Sequence, residues 1–123
     1  MKIQVGHLRK SNFEEELYNP LRKSSLYQEH NFLFPHEEGK KSFNSKETLK
    51  EMDVFIAEVS SPATGLGIEI GFAHLYKVPI ICVYKKGAKI AGSLKYVTTH
   101  FVEYSNSEEL ISGIKEKILE IKN

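Results

Sequence analysis

The chain has 123 residues, 41% of them hydrophobic, enough for one compact domain that needs neither metal nor disulfide staples. Seventeen basic residues against 16 acidic ones leave a net charge of +1 with no basic block, which argues against nucleic acid polymers as partners. The single cysteine, Cys82, leaves no disulfide framework and fits a reducing cytoplasm; MKIQVGHLRK does not read as a signal peptide, and no apolar run approaches the ~18 residues of a membrane span.

KIQV (2–5) reads as a first strand ending at Gly6. SNFEEELYNPLRKSSLYQ (11–28) reads as a helix capped by Ser11 or Asn12, with Glu14 and Glu15 where the dipole favours acids. Pro20 is expected to kink or divide it. NFLF (31–34) is a second strand stopped by Pro35. Asn44, with Glu47 three residues later, makes a capping box for a short helix, SKETLKEM. DVFIAEV is a third strand, followed by a loop and a helix from about Gly65 to Tyr76. VPIICVY, apolar throughout, is a fourth strand covered on both faces, and HFVEY a shorter, edge-like fifth. SEELISGIKEKILEI closes the chain as a helix with Leu110, Ile111, Ile114 and Ile118 on one face.

Strand and helix alternate about five times. The expected fold is therefore α/β and three-layered, a five-stranded, mainly parallel sheet of flavodoxin-like or Rossmann-like type. Ligands of such sheets sit beyond the carboxyl ends of the strands, here GHLR, PHEE, SSPATG and YKKGAK. His7 and Arg9 end the first strand. His36 ends the second, where substrate contact and a solvated loop are both open readings. Ser60, Ser61 and Thr64 offer hydroxyls before a helix N-terminus. Lys85, Lys86 and Lys89 form a basic loop, read first as solvated surface, and Asp53 reads as a strand-start residue facing water. His74 reads as a structural side chain. No histidine pair, acidic cluster or Cys–His spacing suggests a metal.

Gly65, Gly67 and Gly71 have a G-x-G-x-x-x-G spacing after the third strand, and Lys85 and Lys86 stand where a dinucleotide fingerprint wants an acid. A plain dinucleotide loop does not fit. A phosphorylation receiver would need an acidic pair after strand one and an aspartate ending strand three, and GHLR and VSSP stand there instead. What stands out is Glu69, the only charged side chain from Ser61 to Tyr76. Leu66, Ile70 and Ala73 make one stripe of its helix, and Ile68, Phe72 and Leu75 another. A helix with no polar face is buried in the domain or in a subunit contact. A carboxylate there is offset by the amides of a first helical turn, and Gly65 and Gly67 let a ligand approach the backbone. Such a group suits a nucleophile or general base; capping amides or pairing with Arg9 or a lysine is the structural alternative.

DVFIAEVSSPATGLGIEIGFA resembles the signature of the nucleoside 2-deoxyribosyltransferase superfamily, with its closest likeness to the 2'-deoxynucleoside 5'-phosphate N-hydrolase branch. The likeness extends thinly through VGHLR, FPHE, KVPIICVY and GSLK, as one domain over residues 1–123. It implies that Glu69 attacks the anomeric carbon of a deoxyribosyl group and expels the base, after which water or a second base resolves the covalent intermediate. It implies that Ser93 reaches a neighbouring subunit's site and binds a 5'-phosphate, and that Gly6, Arg9 and His36 line the sugar and phosphate pocket. The implied protein is a cytoplasmic homodimer or larger homo-oligomer acting on a small nucleoside or nucleotide, with no cofactor, metal or membrane. Three positions depart from the family pattern: Ser45 stands for an aspartate, Ile3 for a tyrosine and Ala63 for a serine, with Thr64 next door. A nucleotide-binding module without turnover, or a structural dimer whose glutamate caps a helix, are the competing readings.

Overall fold

The computed structural model describes residues 1–35 and 44–123. Its sheet has five strands in the order β2-β1-β3-β4-β5: β1 (Lys2–Gly6), β2 (Asn31–Leu33), β3 (Val54–Glu58), β4 (Ile80–Lys85) and β5 (His100–Tyr104). All four pairings are parallel, so every strand ends on the same edge of the sheet. This is the flavodoxin-like order, and the expected three-layer fold is the observed one.

The period of two along the strands separates two cores. Ile3, Val5, Val54, Ile56, Ile81 and Val83 face one side. There they meet Leu17, Tyr18 and Leu21, together with Leu110, Ile114 and Ile118 of α5 (Ser107–Lys122). Phe55, Ala57, Ile80 and Cys82 face the other side, against Leu49 and against Leu66, Ile70 and Ala73 of α4 (Thr64–Leu75). β4 is buried on both faces, as its unbroken apolar run requires.

The segment 11–28, expected to be kinked or divided at Pro20, is divided into three pieces: a π-helical turn (Glu14–Tyr18), α1 (Asn19–Lys23) and α2 (Ser25–Glu29). Pro20 sits in the first turn of α1, where its missing N–H and fixed φ do no harm. Neither Ser11 nor Asn12 caps: Phe13 holds the N-cap position without a side-chain bond, and Ser11 Oγ donates to Leu8 O at 2.7 Å. Asn44 does cap α3 (Ser45–Thr48), its Oδ1 accepting from Lys46 N at 3.1 Å and Glu47 N at 3.4 Å. A 3₁₀ turn (Leu49–Glu51) follows.

α4 ends in a Schellman-type turn: Val78 N donates to Ala73 O at 2.9 Å and Lys77 N to His74 O at 3.1 Å. The left-handed position is Lys77, at φ 62°, where a glycine is usual. Asp53 is exposed, and its Oδ2 accepts from Lys2 N at 2.7 Å, tying β3 to β1.

Candidate active site

Glu69 lies in the second turn of α4, one turn deeper than expected from the sequence, and no acid occupies the first turn. It is half-buried on the flank of α4 that meets α3. Burial raises the pKa of its carboxyl above the ordinary 4.5; a hydrogen bond from Ser45 and the charge of Lys46 act in the opposite sense. Ser45, the position where the family pattern has an aspartate, heads α3, the helix that packs against α4.

α3 is held in place by β1. Gln4 is fully buried, and its Nε2 donates to Ser45 O at 3.0 Å. The Thr48 hydroxyl, 2.7 Å from Gln4 Oε1 and 2.9 Å from Ser45 O, shares its proton between the two. Gln4 escaped the sequence reading because one polar residue in a short strand looks like its solvent side. The signal that could have found it is the alternation itself: Gln4 pairs with Phe55 in register, on a face that is core.

Gly65, four residues before Glu69, shares its flank, and no described atom lies within 4 Å of where a Cβ would stand. Gly67 is equally open but lies two residues away from Glu69, about 200° around the helix. It lines a cleft of about 420 Å³ with Ser61, Pro62, Ala63, Lys89 and Ala91. Ser61 also lines a second cleft of about 420 Å³ with Leu8, Phe13, Glu16, Glu58 and Lys85, at the carboxyl ends of β3 and β4. Glu69 lines neither cleft.

Glu58 ends β3 and organises the loop that follows. Its Oε1 accepts from Ser60 N at 2.7 Å and its Oε2 from Ser60 Oγ at 3.0 Å and from the Tyr104 hydroxyl. Ser60 Oγ accepts in turn from Lys85 N at 2.8 Å, so β3, β4 and β5 share one hydrogen-bonded node. Burial first, and the Glu58 carboxylate second, push the Tyr104 phenol well above its usual range, which keeps it a donor. Lys85 is exposed, as the solvated reading expects, and on the lining of the cleft it pairs with Glu16 at 2.8 Å. The signal for Glu58 was an acid closing an otherwise apolar central strand.

The remaining expected residues are dispersed. Gly6 is buried, and an added Cβ would stand 2.6 Å from Phe55 Cζ and 2.9 Å from Leu66 Cδ1; its absence lets α4 pack on the sheet. His7 is 5% exposed. Its Nδ1 donates to Leu8 O at 2.9 Å, so the neutral ring presents Nε2 to accept from the Tyr18 hydroxyl at 2.7 Å. It also stacks on Phe13. Arg9, Thr64 and Ser93 are exposed, Ser93 on the 3₁₀ turn Gly92–Tyr96. His36 lies outside the described residues. Within this chain the outward side of α4 is open: Ile68 is 46% and Leu75 71% exposed. Among the described residues no three His, Cys, Asp or Glu side chains are placed to share a metal ion, and no helix is long and apolar enough to cross a membrane.

No protein-family model matches the chain. Over 75 residues it is 33% identical to the 5-hydroxymethyl-dUMP N-hydrolase of Branchiostoma floridae, covering 58% of this chain and 71% of that protein. Over 78 residues it is 31% identical to a protein of Syntrophotalea carbinolica provisionally named 2'-deoxynucleoside 5'-phosphate N-hydrolase 1, covering 58% of this chain and 53% of that protein. The chain spans about half the length of the curated bacterial and archaeal relatives it matches. Among solved structures, the CMP N-glycosidase of Clostridium botulinum superposes with a TM-score of 0.68 at 18% identity, over 94% of this chain and 99% of that one, a likeness of fold.

Proposed function

This chain belongs to the nucleoside 2-deoxyribosyltransferase superfamily, and from that premise we propose that it cleaves the N-glycosidic bond of 2'-deoxynucleosides or their 5'-monophosphates, with Glu69 as nucleophile. The observation that carries the reading is a half-buried carboxylate on the flank of α4 that meets α3, beside the open backbone of Gly65. One Glu69 oxygen attacks C1', and the C1'–N bond breaks with its electron pair leaving on the base, which takes up a proton. Water, or a second base, then opens the glycosyl-enzyme. Desolvation favours this chemistry, because a carboxylate stripped of water gains most by sharing its charge with the anomeric carbon.

Substrate binding is assigned to Gly65 and Gly67 through close approach to the backbone, to Ser61 and Thr64 through hydroxyls at the head of α4, and to Gly6, Arg9 and His36 around the sugar and phosphate. His7 is assigned to the same pocket through the loop it braces against Tyr18. Ser93 serves a second copy's site, in a cytoplasmic homodimer that covers Ile68 and Leu75. The test is a panel of deoxynucleosides and deoxynucleoside 5'-monophosphates read by chromatography for free base. Wild type releases base, and Glu69→Ala and Glu69→Gln do not; equal silence of all three refutes the proposal.

A second reading, a nucleotide-binding module without turnover, is favoured by one observation: the position at the head of α3 where the family pattern has an aspartate is Ser45, whose hydroxyl is a poor acid for a departing base. It predicts thermal stabilisation by nucleotides without product.

A further inference from the structure

We infer that Gln4 is a positioning residue for the Glu69 site, acting through α3 and Ser45. This rests on the proposed role of Glu69. Gln4 points from the middle of β1 into the α4-side core, where a lone amide side chain is costly unless both its ends are bonded. Both are, and both partners lie on the first turn of one short helix: Ser45 O receives the amide N–H, and the Thr48 hydroxyl meets the amide oxygen. A four-residue helix has almost no stability of its own, so its place is set by what it docks on. The sheet supplies a rigid base, since Gln4 stands in register between Leu33 and Phe55. The first residue of that docked helix is Ser45, and the helix packs against α4, which carries Glu69. The chain of contact therefore runs from β1 through the amide of Gln4 to α3, and from α3 to the helix that carries Glu69.

An apolar residue would pack as well at this depth, so burial alone does not explain a glutamine. Its two hydrogen bonds fix α3 in both rotation and height, which a hydrophobic contact does not. Among the described residues, Ser45 and Lys46 are the groups on α3 that bear on the charge of Glu69, and both move with that helix.

The test is a double-mutant cycle of Gln4→Met with Ser45→Ala, read both as kcat/KM for base release and as the pH titration of the Glu69 carboxyl followed by carbon-13 NMR. Each single variant is expected to lose roughly 10-fold in kcat/KM and to move the titration of Glu69 to higher pH. The double variant is expected to lose no more than the worse single variant, because both changes remove the same interaction. Losses that multiply to about 100-fold, or a folded Gln4→Met protein in which Glu69 titrates as in wild type, overturn the inference. Should Gln4→Met fail to fold, Thr48→Val, which removes one of the two bonds, carries the same cycle with the same two outcomes. If wild type releases no base from any substrate, the glycosidase reading fails, while the titration still decides the role of Gln4.

Discussion

Ser45, at the head of α3, bears on the Glu69 carboxyl across the contact between α3 and α4, through a hydrogen bond that lowers its pKa. The bond favours the ionised carboxylate against the burial that disfavours it. Ser45→Ala removes that bond, so the acid limb of the kcat/KM profile is expected to move to higher pH, with a loss of about 1 kcal/mol of stability at neutral pH. Ser45→Asp places a proton donor beside the scissile bond and is expected to raise base release about 10-fold or more, with its optimum shifted upward by the second carboxylate. A rate unchanged or lower in Ser45→Asp contradicts this account of the serine.

Glu69 itself links stability to pH. Its folded pKa lies above the ordinary 4.5, so ionisation is less favourable in the folded than in the unfolded chain. The resulting penalty is absent below 4.5 and develops as pH rises through the folded value. Glu69→Gln is therefore expected to raise Tm at pH 7 and to match wild type at pH 4, measured by calorimetry. Because the nucleophile must be ionised, wild-type activity is expected to fall away in acid at a pH above 4.5.

Two glycines of α4 separate helix chemistry from ligand approach. Both are free of described atoms within 4 Å of an added Cβ, so Gly67→Ala is expected to stabilise the helix by up to ~1 kcal/mol. Gly65→Ala puts its methyl on the flank that carries Glu69 and is expected to raise KM several-fold more than Gly67→Ala does. Gly6→Ala behaves oppositely: its methyl would enter the space of Phe55 and Leu66, and a loss of about 1–3 kcal/mol in urea denaturation is expected.

Much of this architecture was legible because its signals are local. The apolar run of β4 and the 3.6-residue period of α5 are properties of short windows, and both elements formed where their patterns lie. The division of the 11–28 helix was legible from Pro20, but the π-helical turn before it and the second break at Ser24 were not, since the acids and leucines there keep a helical rhythm. At the site, Glu69 announced itself as a lone charge in an apolar stretch. The bonds of the Gln4 amide and the Tyr104 contact of Glu58 reach partners between 41 and 46 residues away, which no local pattern carries.

The stop of α4 illustrates the same point. Lys77 takes a left-handed conformation that sequence pattern reserves for glycine, and tertiary context imposes it by packing Val78 into the core. Lys77→Gly relieves that conformation and is expected to raise stability by about 0.5–1 kcal/mol without altering activity. Chemical denaturation of the pair checks it.

The central claim is that Glu69 forms a covalent bond to the sugar. Rapid quenching of the protein with a deoxynucleoside 5'-monophosphate, followed by intact-mass and peptide analysis, reads that bond directly. The account predicts one added deoxyribosyl 5-phosphate group on the peptide containing Glu69, absent in Glu69→Gln. Base release at the wild-type rate by Glu69→Gln, or an adduct on a peptide that excludes Glu69, would contradict it.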